Sequence, residues 1–519
     1  MADRAEIAII GAGFCGIGMA VRLMRAGYTD LTVLERADSV GGTWRENTYP
    51  GCQCDVPSHV YSLSFAPNPD WSRTYSHQSE IWDYLRRTAG DFGVTPRIRF
   101  GCEVRMSSWD EESGEWVLDT SQGEVRARFL IDAPGALAEP AVPELPGLER
   151  FQGTAFHSAE WDHEHDLTGE RVAVIGTGAS AIQFAPAIQP KVGRLHVFQR
   201  TPPWVMPHRD RPISRFERML YRRFPLLQRI VRAWAYGIRE IAVPAFAFDH
   251  RLNPPIQRIA TRHMERQVAD PELRRRLTPD YEIGCKRILP SNRWYPMLTQ
   301  PNVELVTDEI AEVRERSIVS ADGTEREVDT IIFGTGFQVL EMPAAHRVTG
   351  RRGETLAEAW DGKPEAYMGT SVADFPNMFM LLGPNTGLGT NSVVFMAEAQ
   401  MQHVISVLDT MRAEGSDLCE VAASAQRRWN ERIQHGSRRS VWTAGGCRSW
   451  YLDAEGRNRA IWPGYSWRFW QLARRIKRQD YFLGRTLRSA GDRDPGDGPA
   501  AAAGAAVPGS AAATAKVGG

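Results

Sequence analysis

The chain has 519 residues, of which 42% are hydrophobic and 24% are charged, and its formal net charge is −1. This length predicts two or three domains, and a nearly neutral chain has no global field to attract nucleic acid. No apolar run reaches the roughly 18 residues of a membrane span, and the first strand begins too early to leave room for a signal peptide.

A glycine-rich turn follows the first predicted strand. A short apolar run leads into Gly11, Gly13 and Gly16, and a helix-like stretch comes next. In such a turn the first glycine permits the tight bend, the second admits a pyrophosphate, and the third lets helix and strand pack closely. The next strand ends at Glu35, whose carboxylate suits ribose hydroxyls and repels a 2′-phosphate. This unit predicts the FAD site.

The same arrangement returns later in the chain. Gly176 and Gly178 take the first two glycine positions, and Ala181 takes the third, which is a tolerated variant. As in the first copy, 24 positions separate the first glycine from a charged residue at the end of the next strand, here Arg200 followed by Thr201. A guanidinium at that place suits the 2′-phosphate of NADP. This unit predicts the NADP site.

The two units predict an α/β fold with two Rossmann-like domains, the NADP domain being inserted in the FAD domain. A proline-rich connector at 140–146 precedes the second unit, and a strand with a glycine pattern at 329–337 suggests a return to the first domain. The expected division is an FAD-binding domain in 1–150, an NADP-binding domain in 151–328 with a helical insertion at about 211–280, the rest of the FAD domain with a C-terminal segment in 329–490, and a tail in 491–519. The tail lacks apolar bulk and should be disordered.

The stretch 211–241 is rich in arginine and aromatic residues. Its apolar residues recur at helical spacing: Phe216, Leu220, Phe224, Leu227, Val231, Trp234 and Ile238. Pro225 should break or kink this helix. A basic amphipathic helix can touch a membrane. We nevertheless expect a packed helical insertion that lines substrate access, without peripheral membrane contact.

Seven cysteines are scattered along the chain. Their odd number and wide spacing favour a cytoplasmic protein with reduced thiols. Cys52 and Cys54 are separated by one residue, which suits neither a zinc knuckle nor a redox pair. No metal site and no catalytic thiol are therefore expected.

Two further patterns identify a family. The first is the stretch 151–162, which contains Phe151, Gly153, His157 and Trp161 and ends at Asp162. The second runs from Gly42-Thr43-Trp44 through Tyr49-Pro50-Gly51 to Asp55. With these motifs the chain resembles the Baeyer–Villiger monooxygenases, which are class B flavoproteins related to flavin-containing monooxygenases. The resemblance continues through Lys286-Arg287, Gly334–Phe337 and Ser449–Tyr451, over nearly the whole chain except the tail.

The resemblance implies that FAD and NADPH drive the oxidation of a ketone by O2 to an ester or lactone through a C4a-peroxyflavin. The protein must then stabilise negative charge and exclude water, and a fixed cation near the flavin is the main requirement. The matching position is Arg287, and Asp55 matches the carboxylate that orients this arginine. These two residues are the expected catalytic pair.

The resemblance and the two glycine turns together imply the cofactor contacts. They are expected at Gly11, Gly13, Gly16, Glu35, Thr43, Trp44, Asp55, Tyr61, Val104, Gly176, Gly178, Ser180, Ala181, Gln183, Arg200, Thr201, Lys286, Arg287 and Trp450. Within this set, Trp44 and Tyr61 are expected at the flavin, Lys286 at the 2′-phosphate, and Trp450 on a loop that closes over NADP. His157 is expected to couple domain motion rather than to act as a general base.

Three other functions stay open. A nitrogen- or sulfur-oxygenating enzyme would use the same cofactors but would not need the cation at Arg287. A disulfide reductase needs a Cys-x4-Cys pair, and the sequence has none. The third function is that of a binding or redox-sensing flavoprotein that does not oxygenate a substrate. Residues 383–392 look more like those of relatives acting on aryl and open-chain ketones; the particular ketone and the oligomeric state stay open.

Overall fold

The computed structural model describes residues 3–135, 137–339 and 342–486, so the predicted tail at 491–519 lies outside the described residues. The strands among these residues are, in chain order, β1 (Asp3–Ile10), β2 (Leu31–Leu34), β3 (Ile98–Arg99), β4 (Val104–Asp110), β5 (Glu115–Thr120), β6 (Gly123–Asp132), β7 (Thr154–His157), β8 (Arg171–Ile175), β9 (Arg194–Phe198), β10 (Val205–Met206), β11 (Leu289–Pro290), β12 (Val303–Val306), β13 (Ile310–Val313), β14 (Ser317–Ser320), β15 (Glu325–Glu327), β16 (Thr330–Phe333), β17 (Val348–Thr349), β18 (Met378–Met380), β19 (Leu418–Val421) and β20 (Tyr481–Gly484).

Helices separate these strands. They are α1 (Phe14–Arg25), α2 (Thr43–Glu46), α3 (Gln78–Asp91), α4 (Ala181–Ile188), α5 (Arg215–Arg223), α6 (Pro225–Glu240), α7 (Pro254–Gln267), α8 (Pro271–Leu277), α9 (Trp294–Leu298), α10 (Leu356–Trp360), α11 (Val393–Glu414), α12 (Ala423–Ser437), α13 (Val441–Ala444) and α14 (Ser466–Ala473). Within the described ranges, none of them is long and apolar enough to cross a bilayer.

The first large sheet has the strand order β17-β4-β5-β6-β1-β2-β3, and β18 adds to β6. Strand β1 lies between β6 and β2 and is parallel to both. Its residues Ile7 and Ile9 are fully buried, as in parallel strands covered on both faces. Because Ile10 pairs with both Leu34 and Asp132, the turns after these three strands meet at one edge of the sheet.

The second large sheet is wholly parallel, in the order β12-β9-β8-β16-β7. Ile175 at the end of β8 pairs with Phe198 and with Phe333. The strand at 330–333, expected to begin the return to the first domain, therefore belongs to the second sheet, and that expectation is wrong. The return comes later, because β17 and β18 pair with β4 and β6 of the first sheet.

The chain thus has an α/β fold in which the second sheet is inserted between segments of the first, as predicted. Helix α11, from the last segment, packs on α1, where a Cβ at Gly18 would lie 2.6 Å from the methyl carbon of Met401. This contact joins the two segments of the first unit. The boundary at residue 150 stays a prediction, whereas a boundary at 328 comes too early, because β16 belongs to the second sheet.

A helical insertion, α5 to α8, lies between β10 and β11, as expected. The helix is interrupted at Phe224, and Pro225 occupies the first turn of α6, which confirms the predicted interruption. The expected packing is confirmed for Leu227 and Val231, which lie on the core, but it is wrong for Phe216, Phe224, Trp234 and Ile238, which are exposed. The side of α6 that faces the protein is mixed, because Leu227 and Val231 pack on the main core beside the polar Gln228 and Arg232.

Candidate active site

The first glycine turn joins β1 to α1. Gly11 has φ of +91°, and a Cβ there would lie 2.6 Å from the carbonyl oxygen of Ala133. A Cβ at Gly16 would lie 1.8 Å from the carbonyl oxygen of Gly11, so the helix can approach the turn only without a side chain. No side chain caps the N-terminus of α1 at Gly13. Its free N–H groups therefore suit a pyrophosphate.

Glu35 closes this turn from the end of β2. Its carboxylate accepts hydrogen bonds from the N–H of Ala12 at 2.7 Å and of Ala37 at 3.0 Å. Arg45 lies 3.4 Å away in a buried ion pair. The carboxylate is thus fixed beside the glycine turn, and its remaining lone pairs can accept ribose hydroxyls. This geometry fits the adenosine half of FAD.

The second turn repeats this construction between β8 and α4. Gly176 has φ of +103°, and a Cβ there would lie 2.5 Å from the carbonyl oxygen of Gly334. A Cβ at Gly178 would lie no closer than 3.6 Å to the same oxygen, which leaves the backbone open. Helix α4 begins at Ala181, and the side chain of Ser180 does not cap it. These free N–H groups also fit a phosphate.

Arg200 is exposed at the end of β9 and lines a groove of about 860 Å³ together with Thr201, Arg275 and Arg276. Lys286 lies close enough to Arg200 to feel its charge. Burial first, and then that charge, lower the pKa of the Lys286 ammonium group. Its nitrogen also lies 5.1 Å above the ring of Tyr281. The two residues predicted to bind the 2′-phosphate therefore lie together. A phosphate bound between them would relieve the repulsion of their charges.

Asp55 and Arg287 are 232 positions apart in sequence and form a two-pronged ion pair. The arginine Nε and Nη2 each donate to a different carboxylate oxygen at 2.6 Å. Burial alone would raise the pKa of Asp55, but Arg287 outweighs burial and holds that pKa below its usual range. Asp55 in turn raises the pKa of Arg287. The pair is therefore fully ionised, and 35% of the arginine side chain is exposed and open to a substrate.

Two residues beside this pair were not predicted. Arg239 of α6 donates to the main-chain oxygens of Asp55 at 3.1 Å and of Thr390 at 3.0 Å. Tyr451 is buried close to Arg287: burial raises the pKa of its phenol to about 12, while Arg287 opposes that shift. Arg239 is one of several arginines in the stretch 211–241, and nothing in the sequence singled it out. Tyr451 lies within the family motif Ser449–Tyr451, from which a role was expected for Trp450 alone.

Aromatic side chains gather beside the first turn. The indole nitrogen of Trp44 donates to the hydroxyl of Tyr61 at 3.1 Å, and the ring of Phe14 stands edge-on to Tyr61 at 5.1 Å. Thr43 begins α2, directly before Trp44. Val104 begins β4 at the edge of the cluster that contains Leu34. The structure therefore brings the predicted flavin aromatics together near the glycine turn.

Gln183 of α4 serves the protein itself. Its amide oxygen accepts from the Tyr49 hydroxyl at 3.2 Å and from the N–H of Gln53 at 3.1 Å, while its nitrogen donates to the Gln53 carbonyl at 2.9 Å. These bonds join the helix after the second turn to the segment that leads to Asp55. Its predicted cofactor contact stays a prediction.

Trp450 is exposed, as a loop that closes over a nucleotide requires. The expectation of reduced thiols is wrong for two cysteines, because Cys285 is disulfide-bonded to Cys447. The bond joins the segment before Lys286 and Arg287 to the segment before Trp450. Five other cysteines are free and buried, and burial raises the pKa of Cys52 to about 12, so that thiol is unreactive.

His157 is buried at the end of β7. Its Nδ1 accepts from the N–H of Ala159 at 3.1 Å, its ring meets Phe337 at 5.7 Å, and burial lowers its pKa. These contacts favour a structural role over that of a general base. Within the described residues, no group of three or more His, Cys, Asp or Glu side chains could hold a metal ion.

Known proteins resemble this arrangement over most of the chain. Residues 8–216 match the family model described as pyridine nucleotide-disulphide oxidoreductase. A Baeyer–Villiger monooxygenase of Streptomyces coelicolor is 51% identical over 480 residues, 92% of each chain. Crystal structures of cyclohexanone monooxygenase from Rhodococcus sp. Phi1 bound to NADP+ and of OTEMO with FAD and NADP are each 26% identical. They cover 93% of this chain and 100% of their own, with TM-scores of 0.82 and 0.83.

Proposed function

The chain belongs to the Baeyer–Villiger monooxygenases, and from this premise we propose that Arg287 is its catalytic cation. The enzyme uses FAD, NADPH and O2 to convert a ketone to an ester or lactone. The single observation that supports the role of Arg287 is its two-pronged pair with Asp55, which fixes a charged guanidinium while leaving 35% of its side chain exposed.

The cofactor sites follow from the two glycine turns. FAD is held by Gly11, Gly13, Gly16 and Glu35. The flavin end of this site is lined by Trp44 and Tyr61, with further contacts at Thr43, Asp55 and Val104. Gly176, Gly178, Ser180, Ala181, Gln183, Arg200, Thr201 and Lys286 hold NADPH, and Trp450 closes over it. Bound FAD supplies the redox chemistry with O2 that side chains cannot provide.

Arg287 stabilises the negative charge that develops on oxygen as the atom is inserted. A guanidinium keeps its charge at any working pH and offers five N–H donors, of which Asp55 uses two. Asp55 is a positioning residue, because it sets the plane of the guanidinium and compensates its charge. Arg239 is a second positioning residue, because it donates a hydrogen bond to the main-chain oxygen of Asp55. The remaining donors of Arg287 are then directed at the substrate.

The substrate class is inferred from the segment 383–392. Its Thr390 carbonyl accepts from Arg239, and the amide of Asn391 donates to the buried Glu240 at 2.7 Å. This segment therefore reaches the arginine that fixes Asp55, where it can shape the substrate pocket. Its resemblance to the segment of relatives acting on aryl and open-chain ketones favours those substrates over simple cyclic ketones. A cytoplasmic location is part of the proposal, because five of the seven cysteines are free.

Isotope labelling tests the activity and the substrate class together. The purified enzyme is given NADPH, 18O2 and matched pairs of cyclic, aryl and open-chain ketones, alongside a tertiary amine and a thioether. We expect esters carrying one 18O atom, formed fastest from the aryl and open-chain ketones. Faster conversion of the cyclic ketones would contradict the substrate class alone, whereas formation of only N-oxide and sulfoxide would contradict ketone oxygenation.

A further inference from the structure

Helix α6 lies on the first unit of the fold through a mixed face, on which Leu227 and Val231 pack beside polar anchors. Gln228 donates to the carbonyl oxygen of Asn68 at 2.6 Å, and Arg232 donates to the carbonyl oxygen of His59 at 2.6 Å. Glu240 at the end of the helix is also buried and accepts hydrogen bonds from its neighbours. These polar contacts anchor one side of the helix to the first unit of the fold.

The opposite side of α6 is apolar and exposed. Leu226, Ile230, Trp234, Ile238 and Ile241 follow one another at intervals of four, four, four and three residues, with exposures of 68%, 56%, 68%, 45% and 75%. We call this set the α6 stripe. A surface helix normally turns charged and polar residues, not an apolar stripe, to the water. The stripe therefore needs a partner other than the core of this chain.

The apolar surface continues beyond α6. Ile238 and Ile241 of the stripe line a groove of about 430 Å³ together with Leu252, which precedes α7, and Ile256 in the first turn of α7. On the other side, Phe216 and Met219 of α5 and Phe224 are also exposed. The patch thus spans three helices, which is more than scattered surface hydrophobes would give.

Arginines flank this patch. Arg215, Arg229, Arg258 and Arg262 are exposed on the same three helices. No carboxylate forms an ion pair with them among the residues that the structure describes, whereas Arg211 and Arg222 pair with Glu217 and Asp70. On α6, Arg229 directly precedes Ile230 at the margin of the stripe. Exposed apolar residues with an aromatic centre and unpaired arginines at the margin are typical of helices that lie in a membrane interface.

We propose that the α6 stripe binds the surface of an anionic phospholipid membrane. The apolar side chains would enter the boundary between headgroups and acyl chains, and the arginines would contact the phosphates. A second copy of the chain fits less well. A two-fold interface brings the same patch of both subunits together, so the unpaired arginines would face each other. A lipid surface complements both the apolar residues and the charge.

Vesicle sedimentation of the FAD-bound enzyme tests this proposal. Vesicles of phosphatidylcholine with phosphatidylglycerol are compared with vesicles of phosphatidylcholine alone. We expect the enzyme to sediment with the anionic vesicles, and the bound fraction to fall as sodium chloride is added. Substitution of Arg229, Arg258 and Arg262 by glutamine should weaken binding about a hundred-fold. Absence of sedimentation with the anionic vesicles would overturn the proposal.

A matched pair of variants locates the contact. Trp234→Glu with Ile230→Glu should lower binding at least about ten-fold, while the flavin spectrum and turnover of a water-soluble ketone stay unchanged. Phe482→Glu changes an equally exposed aromatic residue on β20 and should leave binding intact. Equal losses in both variants would overturn the proposal. So would a stripe variant that turns a dimer into a monomer on gel filtration while vesicle binding persists, because a second copy would then occupy the stripe.

Discussion

The two glycine turns are built alike but end in opposite charges. In each, the first glycine lies beside the carbonyl of a neighbouring strand, Ala133 in the first turn and Gly334 in the second. Glu35 at the end of β2 is buried and fixed by two backbone N–H groups. Arg200, at the corresponding place, is exposed beside a groove. The shared geometry suits a dinucleotide, and in the function proposed above the strand-end residue selects which one.

Glu35 is buried and Arg200 is exposed, and this difference fits a cofactor that stays bound in the first turn and a nucleotide that exchanges in the second. A cofactor that stays bound through many turnovers is suited by a buried partner with fixed geometry. A nucleotide that enters and leaves in each turnover is suited by exposed cations, since these attract it without deep desolvation. We infer that the first turn holds its ligand tightly and the second exchanges its ligand.

The largest expected effect is at the third glycine position. Gly16→Ala would place a Cβ 1.8 Å from a backbone oxygen, so the helix must move and FAD binding should be lost. The flavin absorbance of the purified variant and its melting temperature measure this. Gly90→Ala is the control, because that helical glycine has nothing within 4 Å of its Cβ position. Retention of FAD by Gly16→Ala would contradict the role of the close approach.

Arg200→Ala should act on the second nucleotide alone. Loss of one charge-assisted contact to a 2′-phosphate corresponds to about 1.5–3 kcal/mol. The ratio of kcat/KM for NADPH to that for NADH should fall roughly ten- to a hundred-fold, while FAD stays bound. Steady-state kinetics with both nucleotides give this ratio. Equal use of NADPH and NADH by the unmutated enzyme would remove the basis of the comparison.

A buried carboxyl distinguishes the first sheet further. Asp132 ends β6 where Phe333 ends the corresponding strand of the second sheet, and burial raises the pKa of Asp132 to about 7. The folded state thus keeps its proton at a pH where the unfolded chain has lost it. Stability should therefore fall as the pH rises from about 4 to 7, by up to about 4 kcal/mol.

Asp132→Asn should remove this loss. The variant should show a smaller drop in melting temperature between pH 5 and pH 8 than the unmutated protein. Asp119→Asn, at an exposed position on β5, serves as the control and should leave the drop unchanged. If the pH profiles of Asp132→Asn and the unmutated protein coincide, the buried carboxyl does not limit stability.

The smallest expected effect concerns the disulfide. Cys447→Ser frees the segment before Trp450 from the segment before Lys286 and Arg287. The closed loop should be less populated, so the KM for NADPH should rise roughly three- to ten-fold with FAD binding unchanged. Reduction with dithiothreitol should reproduce this rise in the unmutated enzyme and leave the variant unaffected. Cys102→Ser, at a free buried cysteine, should keep the original KM.

The sequence predicted the parts whose residues are close together along the chain. Both glycine turns and the charges that follow them were inferred from local spacing, and the structure has them. The insertion of one unit in the other is also present, although the strand from which it was inferred belongs to the inserted unit. The pairing of Asp55 with Arg287 was also predicted, but only because the motifs resemble those of a known family. Composition alone gives no contact between residues 232 positions apart.

The errors arose where the fold decides what a local pattern faces. Strand β16 has the apolar run and glycines of a return to the first sheet, but hydrogen bonding places it beside β8. The apolar spacing of α6 correctly predicted a helix, although the periodicity is the same whether that side faces a core or the solvent. Cys285 and Cys447 are 162 residues apart, and only the fold brings them together.

The central claim is that Arg287 stabilises the charge of oxygen insertion. Arg287→Ala leaves both glycine turns and Glu35 unchanged, so the variant should keep its FAD and still oxidise NADPH. Loss of one fixed donor of this kind costs roughly 2.7–4 kcal/mol, or a factor of about 100 to 1,000. Arg287→Lys restores the charge without the two-pronged geometry and should recover part of the activity.

The measurement is the amount of ester formed for each NADPH oxidised, with hydrogen peroxide assayed in the same sample. The account predicts that Arg287→Ala consumes NADPH and releases hydrogen peroxide with almost no ester. Ester formation by Arg287→Ala at near the unmutated rate would contradict it.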